Sequence, residues 1–329
     1  MTTTPRPLTI GLGLLVVGVL TATACSPAPD ASETSADGDL TEVRVGPLST
    51  QNLLTLSEES GGLEDSVGDD ATVDVAAPFT AFAPGAQALA AGQIDITSGS
   101  VTSLVGAVDA TPELVAFAVE VNNNDTQGIV AAPDSDIDAV EDLVGQRVAV
   151  NQGGTGEYIL LSALDDAGID PSEVDRVYLD PEDSASAFST GQVDAWATWD
   201  AYLASAVSTD GAELVAVANE IGAVNPTIHV TTREFAENHP EELRAVYDAL
   251  VAEGERVNDD PDVIPEAYTA AGLPEDAVEV IRGFAPPTIA PADADFVADL
   301  QRAADVYADH GLIDTELNVE DNAVDVSQS

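Results

Sequence analysis

Ala88-Leu89-Ala90-Ala91-Gly92-Gln93-Ile94-Asp95-Ile96 is echoed 99 residues later by Ala187-Phe188-Ser189-Thr190-Gly191-Gln192-Val193-Asp194-Ala195. In both copies a run of small residues reads as a helix that stops at Gly, and an apolar strand starts at once. The spacing is that of a domain, so the echo points to two similar lobes. A helix stop ahead of a buried strand is a common local pattern, so chance likeness stays open. Two lobes create a cleft, and small ligands bind in such clefts.

Working outward, strands are expected at 41–45, 71–75, 94–97, 114–119, 128–132, 147–150, 174–179 and 195–199. Helical runs at 101–108 and 157–167 lie between them. Strands spaced by helices imply an α/β fold with parallel sheets. The C-terminal third is mostly helical. His239-Pro240 opens one helix with Pro in its first turn, and Leu243, Val246, Tyr247, Leu250 and Val251 share one of its faces. Phe296, Leu300, Ala303, Ala304 and Tyr307 do the same in a later helix that ends by Gly311.

The chain has 329 residues, 60 of them acidic and nine basic, for a net charge of −51. All nine basic residues are Arg; Lys is absent. A phosphate backbone needs a basic face, so nucleic acid is excluded as a partner. The plain reading of the acid excess is a solvated surface, and the missing Lys suggests a protein that works in high salt, where repulsion is screened. Arg6, the apolar run 8–22 and Thr23-Ala24-Cys25 form the layout of a secretory signal, too short for a spanning helix. Residues 26–39, rich in Pro, Ser, Ala and acid, read as a flexible tether. A single Cys excludes an internal disulfide.

Candidate binding residues gather at Gly- and Ser-rich turns between a strand and a helix. Asn151-Gln152-Gly153-Gly154-Thr155-Gly156-Glu157 is one such turn. Glycines allow close backbone approach, and the first N–H groups of a helix favour an anion. The competing reading is an ordinary cap by Thr155. No Walker lysine follows, so this is not a nucleotide loop. Ser98-Gly99-Ser100-Val101 offers a counterpart, with Ser98 or Ser100 as the plain helix cap. If both turns face one cleft, backbone amides and hydroxyls hold an anion without Lys or Arg. Both tryptophans lie in Trp196-Ala197-Thr198-Trp199-Asp200. On a strand they point to opposite faces, so Trp196 is assigned to the core and Trp199 to the pocket wall. Asp200 either orients a ligand amine or caps the next helix. Ser49, Thr50 and Gln51, after the first strand, reach the cleft or cap a helix.

Catalytic patterns are absent from the sequence. His229, His239 and His310 are scattered, and the last two look like helix-end residues. No HExxH, CxxC or GxSxG occurs, and no Lys is present to form a Schiff base. No cofactor and no metal site is expected.

Residues 143–157, the segment Ala187 to Asp200, 88–95 and 231–240 together resemble the aliphatic sulfonate, taurine and nitrate substrate-binding proteins of bacterial ABC importers. The likeness runs over most of 40–312. It implies a two-lobed periplasmic-binding-protein fold of type II, with mixed sheets flanked by helices and an interlobe cleft. Lobe one would comprise 40–125 plus 228–329 and lobe two 126–227, hinged near 123–125 and 225–226. It implies a non-enzymatic monomer that captures a small organic anion and presents it to the permease and ATPase subunits. Residues 1–24 resemble a lipoprotein signal, with Cys25 as the lipidated anchor on the extracytoplasmic face. Ser100, Gly154 and Thr155 would meet the anionic head, with Gly99 in the same turn and Trp199 and Asp200 near the solute's other end. Related branches bind nitrate, bicarbonate or vitamin precursors. Amine binding by the same fold, and a pyrimidine-precursor enzyme, are the remaining alternatives. Two departures stand out: Gly46-Pro47-Leu48 replaces the usual aromatic or Gln residues, and Asp200 is followed by Ala201 instead of Pro.

Overall fold

The computed structural model describes residues 40–327 except 69–70, 80, 124 and 314–316. The expected signal peptide 1–24, the tether 25–39 and Cys25 lie outside the described residues. The chain opens with β1 (Thr41–Gly46), α1 (Leu53–Ser60), α2 (Gly62–Val67), β2 (Ala71–Val75), α3 (Phe82–Ala90), β3 (Ile96–Ser100), α4 (Val101–Val108) and β4 (Leu114–Val121). Next come β5 (Gln127–Ala131), β6 (Arg147–Val150), α5 (Thr155–Ala167), β7 (Asp175–Tyr178), α6 (Pro181–Ser189), β8 (Ala195–Trp199), α7 (Asp200–Val207) and β9 (Glu213–Val217). It finishes with β10 (Thr227–Thr232), α8 (Arg233–Asn238), α9 (Pro240–Asp259), α10 (Val263–Ala270), α11 (Glu275–Ile281), β11 (Thr288–Pro291) and α12 (Ala294–Asp309).

These strands form two mixed sheets, ordered β11-β4-β10-β3-β1-β2 and β7-β6-β8-β5-β9. In each, three parallel strands meet an antiparallel strand, the first that the chain forms after crossing from the other sheet. β10 returns to lie between β3 and β4, and β5 lies between β8 and β9. Apart from the added edge strand β11, the two orders coincide: β2-β1-β3-β10-β4 matches β7-β6-β8-β5-β9.

The sequence echo has a structural cause in this shared order. Asp95 precedes β3 and accepts from the Arg44 backbone N–H (2.8 Å), Nε (2.9 Å) and Nη2 (2.5 Å) on the neighbouring β1. Asp194 precedes β8 and accepts from the Arg147 backbone N–H (2.9 Å), Nε (2.9 Å) and Nη2 (2.8 Å) on β6. Each guanidinium also donates to carbonyls at the preceding helix stop, Arg44 to Gly92 O and Arg147 to Gln192 O. Such forked, charge-assisted pairing fixes the turn and the register of two strands at once. The Gly-Gln-apolar-Asp pattern therefore marks the same joint in both halves.

Two expectations are corrected. The strand expected at 94–97 begins later, at Ile96, and runs to Ser100. Asp95 is held back by Arg44, while Ser98, Gly99 and Ser100 pair with His229, Ile228 and Thr227 of β10. Ser98 and Gly99 are thus strand residues, not turn residues. The mostly helical reading of the C-terminal third missed β10 and β11, which complete the first sheet; β9 of the second was missed as well. The β-branched run Thr227-Ile228-His229-Val230-Thr231-Thr232 carried a strand signal.

The helical faces expected from spacing are buried. Leu243, Val246, Tyr247 and Leu250 of α9 cover one face of the first sheet, with Val45, Leu54 and Phe117. Phe296, Leu300, Ala303, Ala304 and Tyr307 of α12 cover the other, with Leu104 and Val105. Full burial of such side chains stabilises by about 1.5–3 kcal/mol each. In the second sheet α5 packs on one face through Ile159, Leu160 and Leu164. Phe188 and Trp196 fill the opposite face. Two helices of the first half also reach the second. α12 packs beside α5, with the Tyr158 and Tyr307 ring centroids 6.3 Å apart, and Ile281 of α11 packs with Ala204 of α7.

Candidate functional site

Between the two sheets lies a cleft of about 700 Å³, lined by residues at the C-terminal ends of β3 and β8 and at the N-terminal ends of the antiparallel β5 and β10. Its wall includes Thr50, Gln51, Gly99, Ser100, Gly154, Thr155, Trp199 and Asp200. Ser49 is not part of the wall; its hydroxyl is turned back to Phe79 O (3.1 Å). None of Ser49, Thr50 and Gln51 caps α1. That role falls to Asn52, whose Oδ1 accepts from Leu54 N–H (3.0 Å) and Thr55 N–H (3.1 Å).

The starts of α4 and α5 meet across the cleft, and one residue ties them together. Asn225 is fully buried on the crossover into β10. Its Oδ1 accepts from Thr102 N–H of α4 (3.0 Å), and its Nδ2 donates to Thr155 Oγ1 of α5 (3.1 Å) and to Gln127 Oε1 (3.3 Å). Gln127 Nε2 answers by donating to Asn225 O (2.7 Å). The sequence reading left Asn225 as a hinge residue and did not foresee this bridge. No spacing rule reports it, because its partners are 70 to 123 residues away.

Helix-end amides are less open than expected. At α4, Val101 N–H donates to Pro226 O (3.3 Å), Thr102 N–H to Asn225, and Ser103 N–H to Ser100 Oγ (3.3 Å). Ser100 is the N-cap, with Ser103 Oγ accepting from Ser100 N–H in return. A terminus satisfied in this way offers an anion its hydroxyl and its dipole, not its amides. At α5 the N-cap is Gly154, not Thr155. Gly156 N–H donates to Asn151 Oδ1 (2.8 Å). Among the described residues, no acceptor stands against Thr155 N–H.

The 151–157 loop is built from within. Fully buried Glu157 accepts from Gly153 N–H (2.8 Å), Arg176 Nη1 (2.9 Å) and Tyr178 Oη (2.7 Å). Tyr307 Oη donates to Gly153 O (2.9 Å) from the other half of the molecule. A Cβ on Gly154 would stand 1.8 Å from Asn151 Nδ2, and one on Gly99 2.5 Å from the Phe82 ring. Both glycines are required by neighbouring side chains, beyond any approach to a ligand.

The two tryptophans separate as the strand period requires. Trp196 is buried between Phe188 and Tyr202, while Trp199 lines the cleft with its ring edge-on to Tyr202 (5.9 Å). Asp200 does not cap α7: Trp199 is the N-cap and Asp200 the first helical residue, with φ of +45°. Burial pushes its carboxyl up to about 7; a hydrogen bond with Thr126 opposes this and the charge of Glu120 adds to it.

Behind Asp200 lies an unforeseen polar chain. Glu120 Oε1 accepts from Leu53 N–H (2.7 Å) and stands 3.1 Å from His229 Nε2, outside hydrogen-bond alignment. His229 Nδ1 meets Ser98 Oγ (3.0 Å), and Ser98 Oγ donates to Asn52 Oδ1 (3.3 Å). His229 is thus a buried structural residue. His310 closes α12 and meets Asp165 Oδ2 of α5 (2.8 Å). Among the described residues no group of three or more His, Cys, Asp or Glu is placed to hold a metal ion.

With the geometry established, comparison with known proteins becomes informative. Residues 70–263 match the family described as NMT1/THI5 like. An Escherichia coli (strain K12) protein named for binding aliphatic sulfonates is 29% identical, over 71% of this chain and 73% of its own. The taurine-binding periplasmic protein of the same organism is 30% identical, over 70% of this chain and 71% of its own. The crystal structure of the periplasmic aliphatic sulphonate binding protein from Escherichia coli superposes with a TM-score of 0.78. It is 25% identical and covers 85% of this chain and 91% of that one.

Proposed function

The chain belongs to the NMT1/THI5-like family, and from that premise we propose that it is the extracytoplasmic solute-binding component of an ABC importer. Its solute is a small organic anion, an aliphatic sulfonate or a taurine-like molecule. The observation that carries this reading is the meeting of two helix starts, with Ser100 and Thr155, across one cleft in a fold shared with sulfonate binders. The anionic head lies against the Ser100 hydroxyl, the Thr155 hydroxyl and the Thr155 N–H. Trp199 and Asp200 face the rest of the solute. The protein performs no catalysis; the relatives named above are binding proteins.

Thermal shift and calorimetry with ethanesulfonate, taurine, nitrate, bicarbonate, vitamin precursors and simple amines test the assignment. A ligand that binds only the folded state raises the melting temperature. The reading expects sulfonates to do so. A response to nitrate, bicarbonate or a vitamin precursor with none to any sulfonate would replace it.

The remaining parts of the reading are proposals of the same kind. The lobes are 40–125 plus 228–329 and 126–227, and they close about 123–125 and 225–226 to present the solute to permease and ATPase. The mature chain is a monomer that begins at lipidated Cys25 and works in high salt. An unmodified N-terminal peptide by mass spectrometry would remove the anchor, a dimer in sedimentation the monomer, and a melting curve unchanged from low to molar salt the last.

A further inference from the structure

Asn225 is not the sole tie between the starts of α4 and α5. Tyr307 of α12 is buried and is not part of the cleft wall, yet its phenol reaches both. Its Oη donates to Gly153 O in the loop that opens α5 (2.9 Å). The side chain that hydrogen-bonds the phenol oxygen is that of Thr102 in α4. A carbonyl only accepts, so the single phenolic proton goes to Gly153, and the Thr102 hydroxyl donates to the oxygen's lone pairs. Burial pushes the Tyr307 phenol well above the ordinary tyrosine range, so it stays a donor.

Thr102, itself fully buried, is therefore used twice: its N–H donates to Asn225 Oδ1 (3.0 Å) and its hydroxyl meets Tyr307. Asn225 Nδ2 donates to Thr155 Oγ1 (3.1 Å), in the same turn as Gly153. The path from Thr102 through Asn225, Thr155, Gly153 and Tyr307 returns to Thr102 and closes a ring through both helix starts. Gly153 O and Gly154 N–H are the two edges of one planar peptide. Tyr307 holds the first edge, and Asn151 O accepts from the second (3.2 Å). The next amide along the chain is Thr155 N–H, the donor left for a solute. Two further contacts bind α12 to α5: the Tyr307 ring lies 6.3 Å from that of Tyr158, and His310 Nε2 meets Asp165 Oδ2 (2.8 Å). A shift of the loop relative to α12 would strain all three.

We propose that Tyr307 is a positioning residue of the solute site: from α12, without touching the solute, it holds the Gly153–Gly154 peptide so that Thr155 presents its N–H and hydroxyl to the cleft. The inference rests on the anion reading above and adds to it a residue of the C-terminal helix. Thr102 extends the same control to the other helix start, since its Oγ1 lies 3.1 Å from Ser100 Oγ. The two hydroxyls assigned to the anionic head are thus set by one buried ring, with Asn225 and Tyr307 as its two cross-links.

Tyr307→Phe tests this. The ring keeps its place against Tyr158 and only the hydroxyl is lost, so circular dichroism should stay native-like. A neutral hydrogen bond is worth up to about tenfold in an equilibrium. Calorimetry on the whole mature protein, with ethanesulfonate or whichever solute of the panel above binds, should show affinity weakened about three- to tenfold. In Asn225→Ala the ring is already open, so adding Tyr307→Phe should cost under about twofold. Hydrogen exchange of the unliganded protein should quicken at 151–157 in Tyr307→Phe and stay unchanged in α9. A lower melting temperature with affinity within about twofold of the wild type would make Tyr307 purely structural and overturn the proposal. Losses that multiply in full in the double variant, or unchanged exchange of the loop, would overturn it too. If no solute binds at all, the function proposed above fails, and the exchange measurement still decides whether Tyr307 holds the loop.

Discussion

Replacing Asn225 by Ala should loosen both the fold and the site. The side chain is fully buried and makes three hydrogen bonds, to Thr102 N–H, Thr155 Oγ1 and Gln127 Oε1. Their worth is unequal. The Thr102 N–H sits at the start of α4 and is itself buried, so losing its acceptor costs about 1–3 kcal/mol. The Thr155 hydroxyl rotates toward the cleft and finds water, and the Gln127 bond is long, so these add about 0.5–1 kcal/mol each. The sum is about 2–5 kcal/mol, a large share of a typical total of about 5–15 kcal/mol. Urea unfolding at fixed salt measures it through the midpoint, provided the slope stays that of the wild type. Thr155 also loses the group that aims its hydroxyl, so affinity for the bound solute should fall about tenfold or more. Asn225→Asp keeps an acceptor for Thr102 but gives up both donations and buries a charge, so it should fall on the same side. A change in stability below about 0.5 kcal/mol with unaltered affinity would refute the view that Asn225 ties the two helix starts together.

Other outcomes follow from the same structure. The two equivalent aspartates should differ, because the Asp95 side chain is 9% exposed and that of Asp194 26%. Asp95→Ala should cost about 3–5 kcal/mol and Asp194→Ala about 1–2 kcal/mol in urea unfolding, and the reverse order would discredit burial as the cause. For Asp200 the sign runs opposite to an ordinary acid. Its folded pKa, about 7, lies above the unfolded value, so the folded state binds the proton more tightly and gains stability as pH falls from about 7 toward about 4. Asp200→Asn without ligand should therefore melt above the wild type at about pH 8.5, and the gap should close by about pH 5; a constant gap would argue against it. Glu120 and Tyr268, which face the same carboxyl, stay unchanged in that comparison. In Gly154→Ala the new Cβ must displace Asn151 from Gly156 N–H. Binding should weaken by about tenfold or more while circular dichroism stays native-like, and full affinity would remove this loop from the site.

Much of the fold was legible because its signals are local. Helix α4 and strands β2, β6 and β8 sit at the bounds expected from apolar runs and turn residues. Alternation along β8 separated Trp196 from Trp199 without any knowledge of neighbours. What could not be read was pairing over distance. The start of β3 was misplaced because Asp95 answers to Arg44, 51 residues earlier. The amides of α4 were read as open or as capped by Ser98 or Ser100; Ser100 does cap Ser103 N–H, and Asn225 and Pro226 close the first two amides from more than 120 residues away. Ser49 was grouped with Thr50 and Gln51, yet its hydroxyl turned to Phe79. Local reading located both halves of the cleft and overstated how much of each was free.

The closed amides change what the electrostatics of the cleft must mean. With open helix ends, a strongly acidic chain could hold an anion by backbone donors alone, and the wall carboxylates would be incidental. With α4 satisfied by Asn225, Pro226 and Ser100, the neutral donors left on the wall are few and weak beside three aspartates. An anion of charge −1 then gains little and pays its full desolvation. Either the lobes rearrange on closure to free those amides, or the solute brings its own cation. The first route would have to break the Asn225 bridge, so the Asn225→Ala variant would bind as well as the wild type or better. The second leaves the bridge intact in the complex, and the same variant binds worse. One affinity measurement on Asn225→Ala therefore separates a cleft that opens its helix ends from one that answers charge with charge.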